Sequence, residues 1–166
     1  MIRKATVEDI DILMVIYDKG RAFMRQSGNL HQWTNGYPSR SLVENDIRSG
    51  NQFVVEKEGR IAATFAFIEG DDPTYDHIEG RWLNGSPYGT IHRLASDGTA
   101  PGIATECFRF CMEKKGNVRA DTHPDNIRMK DLLEKFGFVR CGVIHLADGT
   151  PRIAYQLFRF RKDGIC

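Results

Sequence analysis

The stretch Leu94-Ala95-Ser96-Asp97-Gly98-Thr99-Ala100-Pro101-Gly102-Ile103-Ala104 decides how this chain reads. Before it, Tyr88 to Ala95 reads as a strand. After it, Ile103, Cys107, Phe110 and Cys111 fall at i, i+4, i+7 and i+8, one apolar helix face. The junction is therefore strand, loop, helix. A helix N-terminus carries unsatisfied N–H groups and a partial positive charge, which suits phosphate. Gly102 has no Cβ to hold a diphosphate off the backbone, and Ala104 is small. The same pattern also serves a plain helix start, so the junction alone leaves both readings open.

Outward from the junction, Val118 to Asp121 is a short strand. The span from Tyr88 to Asp121 is then a β-α-β unit, which implies a parallel pair. Phe53 to Val55 and Ile61 to Ile68 form a hairpin around Glu58-Gly59, and Phe138 to Leu146 and Arg152 to Phe158 another around Asp148-Gly149. Ile2 to Ala5 opens the chain as a strand. Thr6 caps a helix that carries Ile10, Leu13, Met14 and Tyr17 and runs to Ala22. Ser41 and Glu44 form a capping-box pattern for a short helix that Gly50 stops. A helix from about Pro124 to Phe136 ends at Gly137. Residues 69 to 87 read as a long excursion. The order is β-α-α-β-β-β-α-β-α-β-β. This is a mixed α/β sheet of about seven strands, mostly antiparallel around a central parallel pair, flanked by about four helices.

The 166 residues suit one domain, 1–166, without repeat or linker. Hydrophobic residues make up 41% and charged residues 27%, which favours a globular core over disorder. Lys plus Arg number 23 against 22 Asp plus Glu, a net charge of +1. That balance argues against nucleic acid or a membrane surface as a general partner. The N-terminal residues show no secretory pattern, and no apolar run approaches a membrane span, so a cytoplasmic location is expected. Cys107, Cys111, Cys141 and Cys166 are too sparse for a disulfide scaffold and are expected to stay reduced. Cys107 and Cys111 lack two further ligands for a metal and read as core thiols; no metal is expected.

The junction resembles the GNAT superfamily of acetyltransferases. In that family a hydrophobic strand residue leads through Arg or Gln to x-x-Gly-x-Gly or Ala at a helix start. Leu94, Gly102 and Ala104 match. Asp121-Thr122-His123-Pro124-Asp125-Asn126, followed by Leu132-Leu133-Glu134-Lys135-Phe136-Gly137-Phe138, resembles the family's second cofactor segment, with Asn126 opening and Gly137-Phe138 closing the helix. The motif-level match covers residues 88 to 138, and the element order matches from Ile2 to Phe158. The resemblance implies a GNAT-like fold and acetyl-CoA as co-substrate. It implies that the strands at 90–95 and 118–121 splay around the pantetheine arm. Leu94, Ala95, Ser96, Thr99, Gly102, Ile103, Ala104, Thr105 and Asn126 are the implied cofactor contacts. Three positions depart from the pattern. Thr99 replaces the Arg or Gln, Pro101 lacks an N–H, and Leu133 stands where many members place a Tyr acid.

Acyl transfer to an amine needs a base, because an alkylamine is mostly protonated at neutral pH. His92, His123 and Glu69 are the candidate catalytic residues. Strict alternation puts His92 on one face with Leu94, beside the cofactor motif. His123 follows the strand that ends near Asp121, and it equally suits a helix cap. Glu69 ends a strand and equally suits solvent. Tyr88 and Tyr155 are secondary candidates for an acid, against ordinary packing. Glu69, Asp71, Asp72, Asp76 and Glu79 carry acid without an intervening Lys or Arg. With Trp33, Tyr37, Asp72, Tyr75 and Trp82 as candidate substrate contacts, they point to a small, cationic amine acceptor; a solvated acidic loop fits the same residues. Two other functions stay open, a non-catalytic acyl-CoA-binding module and an interaction protein that docks through its aromatic loops. A homodimer is compatible with all of them.

Overall fold

Capping residues and apolar alternation set most elements of the computed structural model, which describes residues 1–160. β1 (Ile2–Lys4) leads through a single 3-10 turn into α1 (Ile10–Gln26). Thr6 and Asp9 close a capping box there, and Asp9 also takes Arg3 at 2.8 Å. α2 (Arg40–Arg48) starts at Ser39, whose hydroxyl accepts from the Leu42 N–H at 3.2 Å. The sequence pointed to Ser41, two residues later. β2 (Gln52–Lys57) and β3 (Arg60–Glu69) turn over Glu58 and Gly59, both at positive φ. β4 (Glu79–Gly80) and β5 (Gly89–Ser96) follow, then α3 (Ile103–Lys115) and β6 (Asn117–Thr122). α4 (Ile127–Phe136), β7 (Val139–His145) and β8 (Pro151–Phe158) complete the described chain. Asn126, not Pro124, opens α4 by accepting from the Met129 N–H, and Gly137 closes it in the left-handed region.

The strands form one sheet in the order β1-β2-β3-β5-β6-β8-β7-β4, antiparallel throughout except for the pair β5 and β6. The sheet therefore has eight strands among the described residues, one more than the alternation pattern marked. The extra one is β4, a two-residue strand inside the 69–87 excursion. It pairs with β7 where Gly80 and Gly142 cross, and a Cβ on Gly142 would lie 2.1 Å from the Glu79 carbonyl oxygen.

One sheet face packs Phe65, Phe67, Ile91 and Tyr155 against Cys107 and Phe108 of α3 and Leu133 of α4. The other face has two clusters. Leu13, Tyr17 and Val43 of α1 and α2 cover Val54 and Ala95. Tyr75, Tyr88, Ile144 and Ala154 pack at the opposite half of the sheet. Between these clusters lies the face that bears the site.

Candidate active site

The parallel pair is short. Gly89, Thr90 and Ile91 of β5 face Val118, Arg119 and Ala120 of β6, and no pairing continues beyond them. Each strand stays paired on its outer side, β5 with β3 to Ser96 and β6 with β8 to Thr122. The two strands therefore separate at Ile91. A bulge in β5 is the local cause. Arg93 sits at φ 54, and the register with β3 skips from Ala66↔His92 to Thr64↔Ala95. The extra residue bends the strand and increases its twist. Tyr17 fixes it by donating from its hydroxyl to the Arg93 carbonyl at 3.1 Å, and the Arg93 guanidinium pairs with Asp46 of α2. Burial pushes the Tyr17 hydroxyl up to about 12, so it remains a donor. The bulge also corrects the expected alternation. Leu94 packs with the α3 and α4 cluster, while Ala95 belongs to the α1 cluster. His92 and Leu94 thus lie on opposite faces, because the bulged Arg93 consumes one step of the pleat.

Two cavities meet at this gap. One, of about 550 Å³, lies against the N-terminus of α3. Leu94, Ala95, Ser96, Gly102, Ile103, Ala104, Thr105 and Asn126 all line it. Gly102 caps α3 at φ 75 with no side-chain cap, and nothing lies within 4 Å of where its Cβ would be. The N–H groups of Ile103, Ala104 and Thr105 precede the first helical bond, which runs from Glu106 to the Gly102 carbonyl. Lys19 and Arg128 line the same cavity, although sequence reasoning did not select them. They come from α1 and α4, and only the folded chain brings them to the α3 terminus. Thr99 is absent from the lining; its hydroxyl donates to Asp97 and accepts from Arg60. Asn126 spends its amide locally, capping α4 and donating to Gln32 at 3.0 Å.

The other cavity, of about 740 Å³, runs through the gap, with Phe108 of α3 and Met129 and Leu133 of α4 at one side and the polar residues at the other. His92, Asp72, Trp33, Tyr37, Asp121 and Arg152 are among its walls. His92 Nε2 lies 3.1 Å from Asp72 Oδ2, and this hydrogen bond holds the Asp72 carboxyl below its ordinary range. Tyr88, one of the two candidate acids, lines neither cavity; its hydroxyl accepts from the Asp72 N–H at 2.8 Å and so braces the same loop. Met24, Trp33, Leu94, Asn126 and Met129 line both cavities, so the two share a wall at the gap. Arg25 ties the loop bearing Trp33 to α1 through the Asn29 and Trp33 carbonyls, each at 2.9 Å.

The fold carries other expected site residues elsewhere. Glu69 is exposed and pairs with Lys115 at 3.2 Å, outside both cavities. His123 is buried, and its Nδ1 accepts from the Asp125 N–H at 3.0 Å, so it caps the turn into α4. Burial and then Arg152 hold its imidazole below the ordinary value. Tyr75 and Trp82 sit behind the cavity wall. The Tyr75 hydroxyl donates to Asp121 at 2.6 Å, and Trp82 covers the Arg119 guanidinium, whose other face meets Tyr88. Tyr155 donates to Glu134, and burial pushes its hydroxyl up. Burial likewise raises the thiols of Cys107, Cys111 and Cys141. Cys166 lies outside the described residues. Among the described residues no group of three or more His, Cys, Asp or Glu could hold a metal ion, and no helix is long and apolar enough to cross a membrane.

Neither a protein-family model nor a curated protein matches the chain. Solved structures do. An acetyltransferase of the GNAT family from Streptococcus agalactiae is 34% identical, covering 97% of this chain and 96% of its own, with a TM-score of 0.90. A GNAT-family acetyltransferase from Listeria monocytogenes is 16% identical over 94% of this chain and 92% of its own, with a TM-score of 0.68. An N-acetyltransferase from Staphylococcus aureus is 19% identical over 95% and 97%, with a TM-score of 0.65. The last two share the fold. The first shares the fold and a third of its residues over nearly the whole of both chains, and this protein therefore belongs to the GNAT family of acetyltransferases.

Proposed function

We propose that the protein transfers an acetyl group from acetyl-CoA to the primary amine of a small molecule by direct attack. One observation carries the reading: a cavity at the bare N-terminus of α3 and a second, polar cavity share a wall at the gap between β5 and β6. The first cavity fits a diphosphate cofactor. It offers the Ile103, Ala104 and Thr105 N–H groups, open space over Gly102, and cationic Lys19 and Arg128 in place of the long donor that Thr99 does not supply. Bound acetyl-CoA supplies an activated acyl carbon with a thiolate leaving group.

The second cavity supplies the base. With Nε2–H donated to Asp72, the neutral His92 imidazole keeps its Nδ1 lone pair free to take the amine proton, directly or through a water. Asp72 acts as the positioning residue, because it fixes that tautomer. The Leu94 N–H, next to the bulge, is the backbone donor assigned to the developing oxyanion. Leu133 lines the cavity and has no proton to give, so the thiolate leaves without a protein acid. Its reference pKa of about 8.5 makes that feasible. Of the five acidic residues from Glu69 to Glu79, Asp72 lines the cavity and is already paired with His92. The acidic run therefore adds little attraction for a polycation.

The test is incubation with acetyl-CoA and a mixed amine library, with free thiol followed in solution and acetylated amine by mass. Thiol release that needs an amine is the expected result. Coenzyme binding without amine-dependent release from any member would overturn the transfer reading.

A further inference from the structure

Arg152, the second residue of β8, is 7% exposed and lines the polar cavity. Its Nη1 donates to the Pro151 carbonyl at 2.8 Å and reaches the Thr150 hydroxyl at 3.4 Å. Among the described residues it forms no ion pair, and its hydrogen bonds are those of Nη1 to Thr150 and Pro151. A cation this enclosed is ordinarily paired. Neither neighbouring carboxylate forms an ion pair with it. Asp121 accepts from Tyr75, and Asp148 Oδ1 accepts from the Thr150 N–H and hydroxyl. Burial pulls the guanidinium below its ordinary value, and the charges of Asp121 and Asp148 offset that only in part.

The position is specific as well. Ala154, two residues beyond Arg152, packs with Tyr75 and Tyr88, whereas Ile153 and Tyr155 face α3 and α4. Arg152 therefore points to the same side of the sheet as Asp121 and His92. These three residues come from neighbouring strands β8, β6 and β5. His92 and Asp121 lie just past the last pair of β5 and β6, and Arg152 lies two positions beyond Ala154, the partner of Asp121, so Arg152 and His92 face each other across the opened gap. Both side chains line the same cavity of about 740 Å³.

We propose that the acceptor amine also carries a carboxylate, which the free edge of Arg152 holds while the amine lies at His92. This rests on the acetyl-transfer reading above. A guanidinium edge matches the two oxygens of a carboxylate. Asp121 and Asp148 close by repel a dianionic phosphate more strongly than a monoanionic carboxylate.

The experiment uses matched acceptors, amino acids beside the amines formed by removing their carboxylate, with aminoalkylphosphonates and polyamines as further arms. The expected preference for the best carboxylate-bearing amine over its decarboxylated partner is about 50-fold in kcat/KM, the weight of a charge-assisted hydrogen-bond pair. Arg152→Gln is expected to bring that ratio to within about threefold of unity, and Arg152→Lys to retain part of it. A coenzyme-induced rise in melting temperature shows that each variant is folded, and the wild-type ratio decides the matter should either variant fail to fold. Equal or faster transfer to decarboxylated amines, polyamines or phosphonates overturns the carboxylate assignment and leaves acetyl transfer standing. No amine-dependent thiol release from any arm overturns the transfer reading instead.

Discussion

His92, Asp72 and Gly102 carry the sharpest expectations at the scale of single residues. His92→Gln keeps the polar bulk and removes the base, so kcat should fall at least about 100-fold with little change in coenzyme affinity. Steady-state kinetics beside a coenzyme titration would show the split. Asp72 gives a pH prediction. Its carboxyl is held low by His92, so the unfolded chain takes up this proton at a higher pH than the folded chain. The stabilisation is complete above the ordinary carboxylate value of about 4 and is lost as pH falls through the lower folded value. The wild type should therefore lose more stability than Asp72→Asn as pH falls from about 5 to 3, read as urea midpoints. Gly102→Ala meets no neighbour, so its cost is the left-handed φ alone, about 1 kcal/mol. Melting should drop by about 2–4 °C. Coenzyme affinity should fall by more than tenfold, because the methyl occupies the open space over the α3 amides.

At the scale of elements, β5 explains most of what a linear reading could and could not see. The strand, the helix after it and the parallel return strand were legible because their apolar periods differ and Gly102 marks the boundary. The proposed cofactor face was legible for the same reason: contiguous residues built most of its cavity lining. The bulge was not, since no residue type announces an Arg at positive φ; Tyr17, Gln52 and Asp46, distant in sequence, impose it. His123 and Glu69 are engaged by a turn amide and by Lys115, partners that sequence spacing does not weigh. Tyr75 and Trp82 became the frame of the loop rather than its contact surface, because burial beside Arg119 and Asp121 outweighs exposure for two large rings. The bulge also has its own test. Arg93 and Asp46 side chains are 8% and 10% exposed, so Asp46→Ala strands a buried cation. A loss of about 3 kcal/mol is expected, with a melting drop of about 6–12 °C and lower activity from a displaced Leu94.

Across the whole molecule, a sheet that closes on both sides and parts in the middle joins two chemically different spaces. The apolar pattern dictated the sheet, since Phe65, Phe67, Ile91 and Tyr155 need α3 and α4 to cover them. The polar cavity could not be foreseen as a unit, because Arg152, Asp121, His92 and the Trp33 loop converge only when β8 and β6 are placed beside β5. Lys19 and Arg128 reach the α3 terminus by the same convergence. The most direct measurement is a calorimetric titration of coenzyme A into the protein at neutral pH, paired with melting curves. The expected result is one site per chain, with a rise of about 5–10 °C when the ligand stands about 100-fold above its Kd. Absence of both heat and melting shift at millimolar coenzyme A would contradict the assignment of the α3 terminus and the gap beside it as the cofactor site.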